Sequence, residues 1–184
     1  MFATQQLRSE HESITLILGI LARICKKADS GHRLNGRHLK EIVQFLELFV
    51  NGCHIAKEEE VLFPALEAVG IPRERGPIGA MFVDHECGRQ IVAEMKSAAD
   101  LYEIEPGSSP RRFCTACRRY TELLNSHMDR ESELVLALAD CALAPKKQRD
   151  LASAFERIEK ERIGEGKCEQ FQDLLEALAS IYGT

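Results

Sequence analysis

A chain of 184 residues, 45% hydrophobic and 29% charged, is long enough for one domain with a substantial core and too ordinary in composition for disorder to be expected. Its net charge of -5 and pI near 5.7 exclude the basic face that non-specific nucleic-acid binding needs, and no run approaches the roughly 18 consecutive apolar residues of a membrane span. The opening MFATQQLRSEHES lacks a basic region followed by an apolar run, so a cytoplasmic location is expected, and the seven cysteines, odd in number and embedded in helical patterns, are expected to be free thiols.

The first helix is predicted over Thr4 to Ala28. Ile14, Leu18, Leu21 and Cys25 follow His11 at intervals of three and four, so His11 shares the buried stripe while Glu12, about 100° away, is expected in solvent. Gly31, Asn35 and Gly36 mark the turn, with His32 and His38 beside it as exposed polar histidines. The second helix is predicted over Arg37 to Ala68. Its stripe of Val43, Leu46, Val50, His54, Glu58, Val61 or Leu62, and Ala65 places His54 and Glu58 one turn apart on the inward side. Glu59 and Glu60 turn away from that face and are expected to be solvated, and Pro64 should bend the helix locally.

Gly70 to Pro77 forms the next break, and a third helix follows over Ile78 to Tyr102. His85 lies on its apolar face with Ile78, Met81 or Phe82, Gly88, Val92 and Met95. Gly88, one turn from His85, costs about 1 kcal/mol of helix propensity relative to Ala; either a close helix approach or room beside a metal accounts for it. Glu105 to Pro110 closes this helix and starts a fourth, Arg111 to Ala142. Phe113, Cys117, Tyr120, Leu124, His127, Glu131, Leu134 and Leu138 form its inward stripe. Tyr120 is read as core packing or as part of a pocket. The pair Cys114 and Cys117 has no second Cys/His pair and falls inside a helix, which makes it a weak sign of thiol chemistry. Beyond Leu143 two further amphipathic stripes, around Leu151, Phe155 and Ile158 and around Phe171, Leu175 and Leu178, form a C-terminal helical extension. It either packs on the outside of the bundle or makes a homodimer interface. The expected organisation is therefore all-α, with a bundle over 1–143 and the extension over 144–184.

Four helices thus carry a His, a His/Glu pair, a His, and a His/Glu pair. Glutamate is almost never buried without a partner, because a bare carboxylate in a low-dielectric interior is very costly. Mutual His/Glu ion pairs would satisfy these groups, and so would metal. Four imidazoles and two carboxylates exceed what one structural zinc requires, whereas two five- or six-coordinate ions can share them. Di-iron four-helix bundles of the ferritin type use Glu-x-x-His with carboxylates from every helix, which is not the pattern here.

The combination of His11 in SEHESI, His54 and Glu58 in HIAKEEEVLFPAL, His85 in DHECGRQ, and His127 and Glu131 in HMDRESELVLAL resembles the hemerythrin-like, or HHE cation-binding, family over about residues 4–143. The resemblance implies an antiparallel up-down four-helix bundle and a non-haem di-iron centre. In it two iron ions would be joined by an oxo or hydroxo bridge and by Glu58 and Glu131, with His11, His54, His85 and His127 as the remaining ligands. Oxygen carriers of the wider family have one more histidine ligand than this sequence offers, which implies one iron with an open position. Three functions follow as expectations: binding or sensing O₂, NO or peroxide; redox catalysis at the same site, by peroxide or NO reduction or Fe(II) oxidation; or an iron-responsive interaction module. A small diatomic or peroxide ligand is the expected partner, with no nucleic acid and no membrane.

Overall fold

The computed structural model describes residues 1–74, 76–104 and 110–183, and among them there are helices and no strands. Helix α1 spans Ala3–Asp29. It ends where Gly31 adopts a positive φ of 80°, and the Gly31 and His32 amides turn back to the Ala28 and Lys27 carbonyls. Asn35 then caps the next helix, its side chain accepting from the amides of Arg37 and His38. That helix, α2, is continuous from Gly36–Phe45 to Phe63–Ala68, and α3 covers Pro77–Ile104. Helix α4 starts with Arg111–Arg130 and finishes with Leu136–Ala142. The break expected from Glu105 lies, up to 109, outside the described residues. The extension folds as α5, Pro145–Arg162, and α6, Lys167–Tyr182. No helix among the described residues is long and apolar enough to cross a membrane.

Two helices depart from a regular α-ladder. In α2, Leu46–His54 and Glu58–Leu62 are π-helical, and in α4, Glu131–Val135 is π-helical. The amides of Phe63 and Leu136 donate five residues back, to the carbonyls of Glu58 and Glu131. Each such turn takes in one extra residue, so every later position rotates back by one. This corrects the stripe expected in α4: Leu134 and Leu138 are 49% and 39% exposed, while Val135 and Ala139 are fully buried. Pro64 lies two residues past the second π stretch of α2, where the hydrogen-bond ladder is changing register and its missing N–H is least disruptive.

Packing of α1 on α4, α2 on α3, and α3 on α4 builds the bundle, and α5 and α6 both lie against α1. The apolar core is split. A larger cluster contains Ile17, Leu21, Phe45, Met95 and Tyr120, together with Phe171 and Leu175 of α6. A smaller one holds Leu7, Phe63, Leu66, Ile78 and Val135, with Leu151 and Phe155 of α5. The extension therefore buries its apolar stripes against both parts of the core. His38, expected in solvent, is half-buried because its Nδ1 meets the Tyr182 hydroxyl of α6 at 2.8 Å. Between the two clusters lies a layer of buried polar side chains from four helices.

Candidate metal centre

His11, His54, Glu58, His85, His127 and Glu131 are all buried, the two glutamates completely. The structure brings all six together in the layer that divides the core. Glu58 stands between two histidines, its Oε1 at 2.8 Å from His54 Nε2 and its Oε2 at 2.9 Å from His85 Nε2. Glu131 Oε2 lies 2.8 Å from His11 Nε2 and 3.9 Å from His127 Nε2. The histidine rings pair across the layer, His11 with His54 at 5.0 Å and His85 with His127 at 4.8 Å between centroids. Two compact sets of donor atoms result: His11, His54, Glu58 and Glu131 form one, and Glu58, His85 and His127 the other.

Both carboxylates sit at the first residue of a π-helical turn. In α4 the extra residue falls between Glu131 and the apolar residues that follow. The ligand-bearing face can thereby point into the polar layer while Val135 and Ala139 still meet the core, a placement of π-turns common at functional sites.

The chemistry of the donors decides what the layer can do. His11 Nε2, His54 Nε2, His85 Nε2 and all four oxygens of Glu58 and Glu131 are buried without a hydrogen-bond partner. They converge on common points and are not aligned as hydrogen bonds. Native interiors rarely leave so many polar atoms unsatisfied in one place, and cations at the two convergence points would satisfy them together. The residues present therefore fit a metal centre.

The outward nitrogens of three rings are fixed by carboxylates. His54 Nδ1 meets Glu10 at 2.8 Å, His85 Nδ1 meets Glu59 at 2.8 Å, and His127 Nδ1 meets Asp84 at 3.2 Å. A proton held on Nδ1 by a carboxylate leaves Nε2 as the ligand atom and fixes the ring plane. Arg89 and Arg130 extend two of these contacts, to Glu59 at 3.2 Å and to Asp84 at 2.7 Å. Phe63 stacks on His85, with the ring planes 8° apart.

These carboxylates are what reading the sequence missed. Glu59 is only partly solvated: about 100° from Glu58 around α2, it is half-buried against His85 and Arg89 of α3. Glu60 does remain exposed, paired with Arg162 of α5. A signal for the others exists in the chain, since Glu10 and Asp84 each directly precede a lone histidine. Each serves the histidine of a neighbouring helix and not its own sequence neighbour. Gly88 faces Tyr120, Leu123 and Leu124 of α4, where an added Cβ would meet them at 3.7–3.9 Å, ordinary contact distances, so close helix approach does not by itself require the glycine.

In the metal-free protein the layer is an electrostatic compromise. Burial, the largest single influence, pulls the His54 imidazole down, but the Glu58 charge and the contacts with Glu10 and Glu58 outweigh it and push His54 up to about 10. His85 is likewise disfavoured as a cation by burial, yet Glu58 and Glu59 together push it up to about 9. Burial would raise Glu58, but the two imidazolium neighbours hold it well below the usual carboxylate range.

The model of the hemerythrin HHE cation-binding domain matches residues 3–139. The chain belongs to this family. Hemerythrin HHE domains bind cations, as the family's description says, and the matched span includes all six converging residues. Uncharacterized proteins of Mycobacterium bovis and Mycobacterium tuberculosis are 23% identical to this HHE protein over 179 residues, covering 97% of the chain and 68% of their own length. That alignment runs past the family domain and takes in α5 and α6. No solved structure matches significantly.

Proposed function

We propose that this HHE protein holds two non-haem iron ions and uses the one with fewer protein donors to bind or sense a small ligand such as O₂, NO or peroxide. The observation that carries this reading is the set of buried Nε2 and carboxylate atoms that make no hydrogen bonds and are grouped into two donor sets sharing Glu58. His11, His54, Glu58 and Glu131 would hold one ion, and His85, His127 and Glu58 the other, within an up-down antiparallel arrangement of α1 to α4. The set with His85 and His127 has three donors close together against four in the other. Iron so bound supplies redox-active open coordination for a diatomic or peroxide ligand. The chain's own contribution is to fix the imidazole planes through Glu10, Glu59 and Asp84 and to keep bulk water out with the apolar clusters on either side.

Metal analysis of the iron-loaded protein, with Mössbauer and absorption spectra before and after NO, tests the proposal. Two irons per chain with a magnetically coupled signal that changes on NO addition are expected. One iron per chain, or a coupled signal indifferent to NO, O₂ and peroxide alike, would overturn it.

A further inference from the structure

We propose that Glu159, supplied by the C-terminal extension, is a positioning residue for the metal centre: through Lys57 and Glu10 it locks the His54 ring in the orientation that aims Nε2 at Glu58. This rests on the metal-binding reading of the site and assigns a part in it to residues outside the family domain.

The chain of contacts is continuous. His54 Nδ1 meets Glu10 Oε2 at 2.8 Å. The other oxygen of Glu10 accepts from the Lys57 ammonium, which also donates to Glu159. Glu159 accepts in turn from the Gln6 amide at 2.6 Å. Lys57 is fully buried, with its ammonium 5.8 Å from the Phe155 ring of α5. A buried lysine is costly unless its charge is matched, and a buried ion pair adds little net stability over apolar packing. This cluster is better explained by what it orients. Lys57 sits one residue before Glu58 and three after His54, so whatever holds its ammonium also holds the turn that carries both donors.

The location of α5 fits this role. It packs along α2 across both π-helical stretches and the turn between them, with Ile158 against Cys53 and Ala56. The other two supported histidines lean on carboxylates backed by Arg89 and Arg130, from α3 and α4 of the bundle itself. Among the described residues, the support of His54 is the one that runs to the extension. Asymmetric support predicts asymmetric consequences: because the relay ends on the His54 ring and Glu58 keeps its contact with His85 at 2.9 Å, disturbing Glu159 should affect the His11/His54 set more than the His85/His127 set.

The test uses the full chain as Glu159→Leu, Glu159→Asp and, as a control for docking of α5, Arg162→Leu, which breaks the separate pair with Glu60. Long-range ¹H–¹⁵N spectra of the metal-free proteins report the ring nitrogens of each histidine, and Co(II) titration reports the two binding events. In Glu159→Leu the His54 signals should move while those of His85 and His127 stay, and one Co(II) equivalent should weaken by about tenfold. Glu159→Asp should recover most of that loss, and Arg162→Leu should leave both readouts unchanged. Unmoved His54 signals in Glu159→Leu, equal movement of all the histidines, or the same effect from Arg162→Leu would overturn the proposal. A wild-type chain that takes up no Co(II) would instead count against the metal reading, since the ring spectra need no metal.

Discussion

Glu58→Gln is the most informative single change, because Glu58 belongs to both donor sets. The amide keeps the shape of the side chain, removes its charge, and sets an N–H against an imidazole nitrogen where an oxygen stood at 2.8 or 2.9 Å. In the metal-free protein this leaves each of two imidazolium ions with one carboxylate instead of two, Glu10 at His54 and Glu59 at His85. Removing one partner of a buried ion pair costs about 3–5 kcal/mol, and the imidazoles relieve part of that by releasing protons, which places the loss near the lower bound. For a chain of this size each kcal/mol corresponds to about 2–4 °C, so the metal-free melting temperature should fall by roughly 6–12 °C. Metal titration gives the sharper readout. Glu58→Gln should lose both binding events, whereas Glu131→Gln should lose the one at His11 and His54 and retain the one at His85, His127 and Glu58. Calorimetric titration with Co(II), beside circular-dichroism melts of the metal-free chains, measures both. If Glu58→Gln keeps two equivalents at wild-type affinity, or Glu131→Gln abolishes both while Glu58→Gln spares one, the shared-carboxylate geometry is wrong.

Proton release should accompany metal uptake. Because His54 and His85 are held charged up to about 10 and about 9, full loading near pH 7 should expel about two protons, measurable with a pH indicator, and the number should fall above pH 9. The sign for stability follows from the same raised values: the imidazolium contribution is complete below the unfolded value of about 6.5 and lost as pH rises through 9–10, so the metal-free chain should melt lower at pH 10 than at pH 7. Glu59→Ala should weaken one binding event by about tenfold through His85, while Glu60→Ala leaves titration unchanged; equal effects would refute the distinction between them. Val135→Ala should destabilise the chain by about 1.5–2.5 kcal/mol in chemical denaturation, whereas Leu138→Ala should cost less, about 1 kcal/mol.

That last pair marks where sequence reasoning ended. Apolar periodicity with Gly, Asn and Pro turn signals locates the helices to within a residue or two and places His11, His54, Glu58, His85, His127 and Glu131 on inward faces, because an α-helix has a fixed period and carboxylates inside a stripe of leucines are conspicuous. It did not reveal the π-helical turns at Glu58 and Glu131. They answer a tertiary demand, a ligand facing the polar layer and an apolar residue facing the core on the same helix, and so a regular α period points Leu134 and Leu138 inward where Val135 and Ala139 take that face. Nor did it reveal the carboxylates behind the histidines. Glu10 and Asp84 are adjacent in sequence to histidines they do not serve, and Glu159 lies 105 residues from His54. One helix's period determines which side chains point inward; which of them meet across helices is decided only when the helices pack.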